Sequence, residues 1–551
     1  MKPKLLQIIK HRDQELKNGQ IFKDVIAGII VAIIALPLSI ALAISSGVAP
    51  EKGLITAIIA GFFISFLGGS RVQIGGPTAA FVVIIFGIIQ KHGLDGLIMA
   101  TIMAGILLVI FGICKFGSLI KYIPYPITVG FTTGIAITLF TTQVKDFLGL
   151  QIDKVPSEFL PKWASYFAHL NTINYMAFLL GAIALIIMIV WPKINKMIPG
   201  SLVALIVITL AAYLFKLNVP TIGSTFGEIS SKISGITVPK VDLETVIKLI
   251  KPAFTIAILA SIESLLSAVV ADGMIGKKHN SNMELIGQGV ANIASGLFGG
   301  IPATGAIART AANVKNGGRT PIAGITHAVT LFLIMIIFMP LAKYIPLTVL
   351  AAILMIVSYN MSELKVFKAM LKGPKSDVII LITTCLLTVI FDLVVAIEIG
   401  MVIAMFLFMR RMANNLEVNM MDSDECAEFT ELNGIDTSNI GKGIVVYEIE
   451  GALFFGAVDT FMDAIKKIDS ESSVLILRMR HVSMLDATGY KVLKNIEEKC
   501  NKDNIKLVMS GVNDQPYKVM KNMGMVKRLG KERFNRKFKD AVILSNRLIS
   551  E

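Results

Sequence analysis

Runs of about 20 apolar residues, the length that crosses a hydrocarbon core of roughly 30 Å, recur along this chain from Ile21 to about Met409. No soluble fold accommodates so many of them, because their side chains would have to be buried on every face. Lipid is therefore the expected solvent, as the mean hydropathy of +0.71 also requires. About fourteen runs can be placed on this criterion. The segment from Met1 to Asp24 is polar and basic before the first long run, the wrong order for a cleavable signal, so no targeting peptide is expected.

The net charge of +14 does not point to nucleic acid. The lysines sit in short loops between apolar runs rather than on a basic face interleaved with aromatics. Clusters at Lys2, Lys4, Lys10 and Arg12, at Lys115 and Lys121, at Lys193 and Lys196, at Lys277 and Lys278, at Lys315 and Arg319, at Lys365 to Lys375 and at Arg410 with Arg411 fall in alternate loops. The positive-inside rule then places both termini in the cytoplasm of a multi-pass protein of the plasma membrane. Cys114, Cys385, Cys426 and Cys500 show neither metal-ligand nor disulfide spacing, so no metal or cofactor is expected. No nucleophile with a base, metal cluster or phosphate loop is apparent, which argues against an enzyme.

The two halves of the apolar region resemble each other. Lys121-Tyr122-Ile123-Pro124 recurs as Lys343-Tyr344-Ile345-Pro346, Gly53 to Gly69 aligns with Glu284 to Gly300, and Thr78 matches Thr304, in one order and at similar offsets. With an odd number of spans in each half, the second copy must enter the membrane inverted. The expected fold is a polytopic α-helical membrane protein with about 14 transmembrane segments in a 7+7 inverted repeat, followed by a cytoplasmic α/β domain. The expected boundaries are a cytoplasmic segment at 1–20, a transport domain at 21–412, a linker at 413–442 and the α/β domain at 443–551. Within the transport domain the repeats run about 21–216 and about 253–412. In the last domain, Gly443 to Glu450, Val474 to Met479 and Lys506 to Ser510 read as strands, and Val458 to Lys467, Thr488 to Asn501 and Lys537 to Ile549 as helices.

Two runs, Pro77 to Ile89 and Ala303 to Val314, are too short to cross alone, and each follows glycine- and proline-rich chain. Unpaired backbone in lipid costs several kcal/mol per group, so broken helices persist only where protein or a polar cavity surrounds them. Their N-terminal ends carry open N–H groups and the positive end of the macrodipole, which together attract an anion. Thr78 and Ala79 are thus expected to face Ala303 and Thr304 across a gap, with Gly76, Pro77, Pro302 and Ser267 in support. Arg309, at membrane depth, needs a partner. That partner is either the substrate or a carboxylate, and Glu263, isolated near the middle of its span, is the carboxylate expected. A glutamate between a desolvating bilayer and a nearby cation can take up and release a proton as access alternates, which would make H+ the coupling ion. A fixed structural ion pair is the other reading of the same two residues. Asp272, Glu284, Asp392 and Glu398 lie nearer span ends, where caps or structural pairs are expected.

Several motifs resemble the SulP family of anion transporters: Ala35-Leu36-Pro37-Leu38-Ser39, Gly75-Gly76-Pro77-Thr78, Ser261-Ile262-Glu263-Ser264-Leu265-Leu266, Glu284-Leu285-Ile286-Gly287-Gln288-Gly289, Pro302-Ala303-Thr304-Gly305-Ala306-Ile307-Ala308-Arg309 and Asn316-Gly317-Gly318-Arg319-Thr320-Pro321. Met484-Leu485-Asp486-Ala487-Thr488-Gly489 resembles a STAS domain. The resemblance implies core and gate domains, a homodimer, elevator-like movement, and substrate between the third and tenth helices. It implies sulfate, bicarbonate, chloride, oxalate or a four-carbon dicarboxylate as substrate. Glu263 resembles proton-coupled members, and Leu38 stands where many sulfate carriers have glutamine. The position of Thr488 implies a regulatory phosphorylation site, or an ordinary capping threonine in a domain that binds a cytoplasmic protein. The leading expectation is a proton-coupled anion symporter. An uncoupled exchanger or channel, a nucleobase permease, and a membrane sensor signalling through the STAS domain are the alternatives.

Overall fold

The computed structural model describes residues 2–10, 19–118, 123–195, 198–231, 235–237, 239–391, 393–421, 443–457 and 472–550. The helix expected at Val458 to Lys467, Asp392 and most of the expected linker, 422–442, lie outside the described residues. Two compact units divide the chain, Met1–Met401 and Val402–Glu551.

The first unit is helical. Its elements are α1 (Lys4–Lys10), α2 (Gln20–Ser45), α3 (Pro50–Leu67), a two-residue strand β1 (Gly75–Gly76), α4 (Val82–Ile113), α5 (Tyr125–Leu148), α6 (Phe159–Ala168), α7 (Tyr175–Ile194), α8 (Gly200–Leu214) and α9 (Ile222–Phe226). There follow α10 (Leu243–Ile275), α11 (Ser281–Leu297), the strand β2 (Thr304–Gly305), α12 (Ile307–Lys315), α13 (Ile322–Phe338), α14 (Leu347–Met361), α15 (Leu364–Met370), α16 (Lys375–Ile390) and α17 (Leu393–Asn414), whose sequence range runs past Met401 into the second unit. Among the described residues, 8 helices are long and apolar enough to cross a membrane. The third and fourth expected spans lie in α4, which is interrupted at Gly93, where φ is 67° and ψ −168°. The eighth is α10, a single helix of 33 residues.

Helices α4 and α11 approach backbone to backbone. A Cβ added at Gly105 would lie 2.6 Å from the Gly289 carbonyl, and one at Gly289 would lie 2.6 Å from the Gly105 carbonyl. Small residues permit such close approach in a membrane, where dispersion rather than the hydrophobic effect holds helices together.

Buried carboxylates fix the connections. Asp24, fully buried on α2, accepts from the Arg319 N–H at 2.7 Å, the Thr320 N–H at 3.2 Å and the Thr320 hydroxyl at 2.6 Å, holding the turn that leads into α13. Glu284 on α11 accepts from the Gly69 and Ser70 N–H groups at 2.8 and 2.9 Å and from Gln288 Nε2 at 2.8 Å. The loop that follows α3 is thereby tied to α11. Asp272 pairs with His279 at 2.7 Å.

The second unit contains a five-stranded mixed sheet in the order β3 (Glu417–Met421), β4 (Ile444–Leu453), β5 (Val474–Leu485), β6 (Lys506–Ser510) and β7 (Phe534–Asn535). The β3/β4 pair is antiparallel and the others are parallel. Along β5, Leu475, Leu477 and Met479 join one apolar cluster and Val474 and Ile476 the other, so both faces are covered and the strand reads as a continuous apolar run. The covering helices are α18 (Ala487–Lys502), α19 (Asp514–Asn522), α20 (Met525–Leu529) and α21 (Phe538–Ser550). Strand β3 corrects the expected linker: residues 417–421, read as connecting chain, pair with β4. Helices α19 and α20 were not expected from the sequence.

Candidate functional site

The two glycine- and proline-rich segments meet. β1 pairs antiparallel with β2 in the register Gly75 with Gly305 and Gly76 with Thr304, and the Ala306 N–H donates to the Ile74 carbonyl at 2.9 Å. Antiparallel crossing is what two copies related by an inverted repeat produce at their shared axis. Beyond β1 a 3-10 turn, Ala79–Phe81, opens α4. Beyond β2 the chain opens α12 at Ile307. The first-turn N–H groups on each side have no intrahelical acceptor, so both starts are sites of positive potential.

The start of α12 corrects an expectation. Ala303 and Thr304 do not begin the helix; they lie in the crossing, with no solvent exposure. Their polar groups are engaged. The Ala303 N–H donates to Asn292 Oδ1 at 2.9 Å, and Asn292 Nδ2 donates to the Ala303 carbonyl at 2.8 Å. Thr304 Oγ1 donates to the Ala260 carbonyl at 3.1 Å and lies 2.5 Å from Ser264 Oγ. The open first turn belongs instead to Ile307 and Ala308, both exposed. Pro302 is buried beside the crossing. Thr78 and Ala79 stand at the start of the first broken helix, as expected.

Arg309 therefore sits in the first turn of α12. It is 3% exposed. Its Nη2 donates to the Pro77 carbonyl at 3.1 Å and to Ser39 Oγ at 3.4 Å, while Nη1 has no hydrogen-bond partner among the described residues. The expected ion pair with Glu263 is not formed. Glu263 Oε2 accepts instead from Thr78 Oγ1 at 3.0 Å, on the other side of the crossing. The guanidinium reaches from one broken helix to the carbonyl that precedes the other, which leaves one face of it without a counter-charge. Gly76 makes the approach feasible: its φ is 152°, and a Cβ there would collide with Arg309 Nη1. Ser267 Oγ donates to Thr310 Oγ1 at 3.2 Å, and Thr310 Oγ1 also accepts from the Ile74 N–H, just before β1, at 3.1 Å.

Sequence reasoning missed the frame behind the site. Glu284, Gln288, Asn292 and Ser295 recur at helical spacing on α11, and all are fully buried. Glu284 holds the loop before β1, Asn292 holds Ala303, and Ser295 Oγ donates to the Ile301 carbonyl at 2.8 Å. Thr56 on α3 accepts from the Ile301 N–H at 2.7 Å, and Asn313 Nδ2 donates to the Val72 carbonyl at 2.8 Å. The legible signal was a polar stripe on an otherwise apolar helix.

Replacing Asn292 by leucine strands one buried N–H and one C=O of Ala303, at about 1 to 3 kcal/mol for each unsatisfied group. The expected result is a lower thermal midpoint in detergent and weaker anion uptake. An aspartate there, which keeps the acceptor and loses the donor, should fall between leucine and the parent. A midpoint unchanged in Asn292→Leu would show that the clamp is dispensable.

Thr488 is exposed in the first turn of α18. Asp486 caps that helix, accepting from the Gly489 N–H at 2.8 Å, so capping does not require the threonine.

The chain matches the sulfate permease family over residues 21–384 and the STAS domain over residues 437–541. It is 42% identical to the "Putative sulfate transporter YvdB" of Bacillus subtilis (strain 168) over 514 residues, 93% of this chain and 95% of that protein. The transmembrane domain of the cyanobacterial bicarbonate transporter BicA superposes with a TM-score of 0.64 at 29% identity, covering 69% of this chain and 97% of that one. The overall structure of SLC26A9 has the same fold, with a TM-score of 0.84 at 18% identity, over 96% of this chain and 90% of that one.

Proposed function

The chain belongs to the sulfate permease family and carries a STAS domain, and we propose that it is a secondary active transporter that takes up a small anion, sulfate, bicarbonate or a four-carbon dicarboxylate, by proton symport. The observation that carries this reading is the crossing of β1 and β2, which sets two broken helices with their open N-terminal turns toward one place beside a guanidinium with a free Nη1.

The residues divide the work. The first-turn N–H groups of Ala79 and of Ile307 and Ala308 offer backbone donors, and Arg309 offers a charge-assisted bond that water cannot weaken. Glu263 stands on the far side of Thr78, close enough for its protonation to alter that hydroxyl's orientation and the charge of the site. Proton binding to Glu263 would reduce the negative charge facing an incoming anion, which links the two loads. The β1/β2 crossing and α11 then move as one body relative to the rest of the bundle, an elevator-like displacement. The working unit is a homodimer in the plasma membrane with cytoplasmic termini, and the alternation of basic loops supports that orientation.

Purified protein in liposomes, offered labelled sulfate, bicarbonate and fumarate with and without an inward proton gradient, tests the reading. Accumulation of one of them above its equilibrium level, only when the gradient is imposed, is expected. Equal flux with and without the gradient would select an uncoupled exchanger or channel, and no flux of any of the three would remove the transport reading.

A further inference from the structure

Helix α6 carries a lysine in an unusual place. Lys162 is 5% exposed. Among the described residues no carboxylate lies within ion-pair distance of its ammonium, and Nζ stands over the Phe86 ring, 5.6 Å from its centroid. A buried ammonium without a counter-ion is costly and needs a reason.

Two cavities supply one. Lys162 lines both a cavity of 450 Å³ and a smaller one of 170 Å³. The larger is bordered by Ala80, in the 3-10 turn that opens the first broken helix, and also by Lys91, Lys248 and Lys251. It therefore joins the neighbourhood of the candidate site to a rim rich in cations. Lys248 is occupied by Glu244 at 2.6 Å. Lys162 is the lysine that lies deep.

Resting on the anion-transport reading, we infer that Lys162 is a second anion-binding group, a staging site in the cavity through which a small oxyanion or carboxylate passes to or from the Arg309 site. Its ammonium supplies in the vestibule what Arg309 supplies at the crossing, a positive charge with no protein counter-ion in a partly water-excluded space. The larger cavity sets Lys91, Lys162, Lys248 and Lys251 against one carboxylate, Glu158, and an excess of one sign in a cleft raises the local concentration of the opposite ion. The volume admits sulfate or a dicarboxylate together with water.

The charge is sensitive to pH. Burial lowers the Lys162 pKa to about 8, outside the spans on α6. The ammonium, and the attraction it exerts, is thus present below about pH 8 and is lost as pH rises through it. The other titratable groups facing the smaller cavity are Lys145 and Asp146 on α5 and Tyr166 on α6. Lys145 donates to the Ile152 carbonyl at 2.8 Å. Burial chiefly, with Asp146 adding to it, raises the Tyr166 pKa well above the usual phenol range, so Tyr166 stays neutral. In the larger cavity the titratable neighbours are Glu158 before α6, Lys91 and His92 on α4, and Lys248 and Lys251 on α10.

Two measurements test the assignment. In liposomes, with whichever of labelled sulfate, bicarbonate or fumarate the parent protein accumulates, Lys162→Met should raise KM by about tenfold at pH 6.5 with a smaller effect on kcat, as the loss of one charge-assisted bond predicts. Parent KM should rise more steeply between pH 6.5 and pH 9 than that of Lys162→Arg, which is charged throughout and keeps only the pH dependence that Glu263 confers. Unchanged KM in Lys162→Met, or a pH profile in Lys162→Arg identical to the parent's, overturns the staging site and leaves the transport reading intact.

The second measurement needs no flux. The chain has two tryptophans, Trp163 and Trp191. In a Trp191→Phe background, iodide quenching of Trp163, next to Lys162, should be stronger at pH 6.5 than at pH 9 by about twofold, with neutral acrylamide as control. Lys162→Met should abolish that difference. Iodide quenching that does not change with pH, or that changes equally in Lys162→Met, overturns the proposal even if no substrate is transported.

Discussion

Arg309→Ala should lower anion affinity by roughly 10- to 150-fold, the equivalent of about 1.5 to 3 kcal/mol for a hydrogen bond to a charged group, and transport should fall below detection at low substrate. The reasoning rests on the free Nη1 and on what the rest of the guanidinium holds. Nη2 is committed to the Pro77 carbonyl and Ser39, so truncation removes both the donor to the substrate and the tie between the broken helices. Arg309→Lys separates the two effects. A lysine keeps the charge but presents a point ammonium rather than a planar fork, so it cannot serve Pro77, Ser39 and a ligand together. Affinity between those of the parent and the alanine variant is expected. Both variants should elute as folded protein, because a buried cation without a counter-ion contributes little net stability. An alanine variant that is folded and binds the anion as tightly as the parent would remove Arg309 from the site.

Much of this site was legible in the sequence because its causes are local. A glycine- and proline-rich stretch ahead of a short apolar run marks a broken helix wherever it occurs, and Arg309 announces itself by its expense in lipid. Where the chain begins α12 was not legible, since Ala303, Gly305 and Ala306 fit extended and helical backbone alike. Long-range bonds decide between them: Asn292 to Ala303, Thr304 to the Ala260 carbonyl, and the Ala306 N–H to the Ile74 carbonyl. The bond between Glu263 and Thr78 is not legible either. Its choice of Thr78 over Arg309 depends on which side of the β1/β2 crossing each side chain enters, and spacing along the chain does not carry that information. In the second unit, short apolar runs revealed β4, β5 and β6, but the Glu417–Met421 segment, with polar residues at 417 and 419, pairs only on one side, as an edge strand, and looks like loop. The helices α19 and α20 are short, and helices of that length take their stability from packing rather than from propensity.

Glu263→Gln should separate anion movement from the proton gradient. The amide oxygen of glutamine can still accept from Thr78 Oγ1, the bond that Glu263 Oε2 makes at 3.0 Å, so the geometry at the start of the first broken helix is preserved while the titratable proton is removed. The side chain then carries one fixed charge, zero, in both orientations of the carrier. Exchange of labelled for unlabelled anion across liposomes at equal pH should continue within about threefold of the parent, because the donors at Ala79, Ile307, Ala308 and Arg309 are untouched. Uphill accumulation under an inward proton gradient should vanish, since a neutral amide cannot transfer a proton with the anion. Glu263→Asp should retain coupling but shift its pH dependence, its shorter side chain drawing the carboxylate away from Thr78. Proton-driven accumulation that survives in Glu263→Gln would assign coupling to another group, and loss of exchange together with accumulation would make Glu263 a structural support of the substrate site rather than its proton carrier.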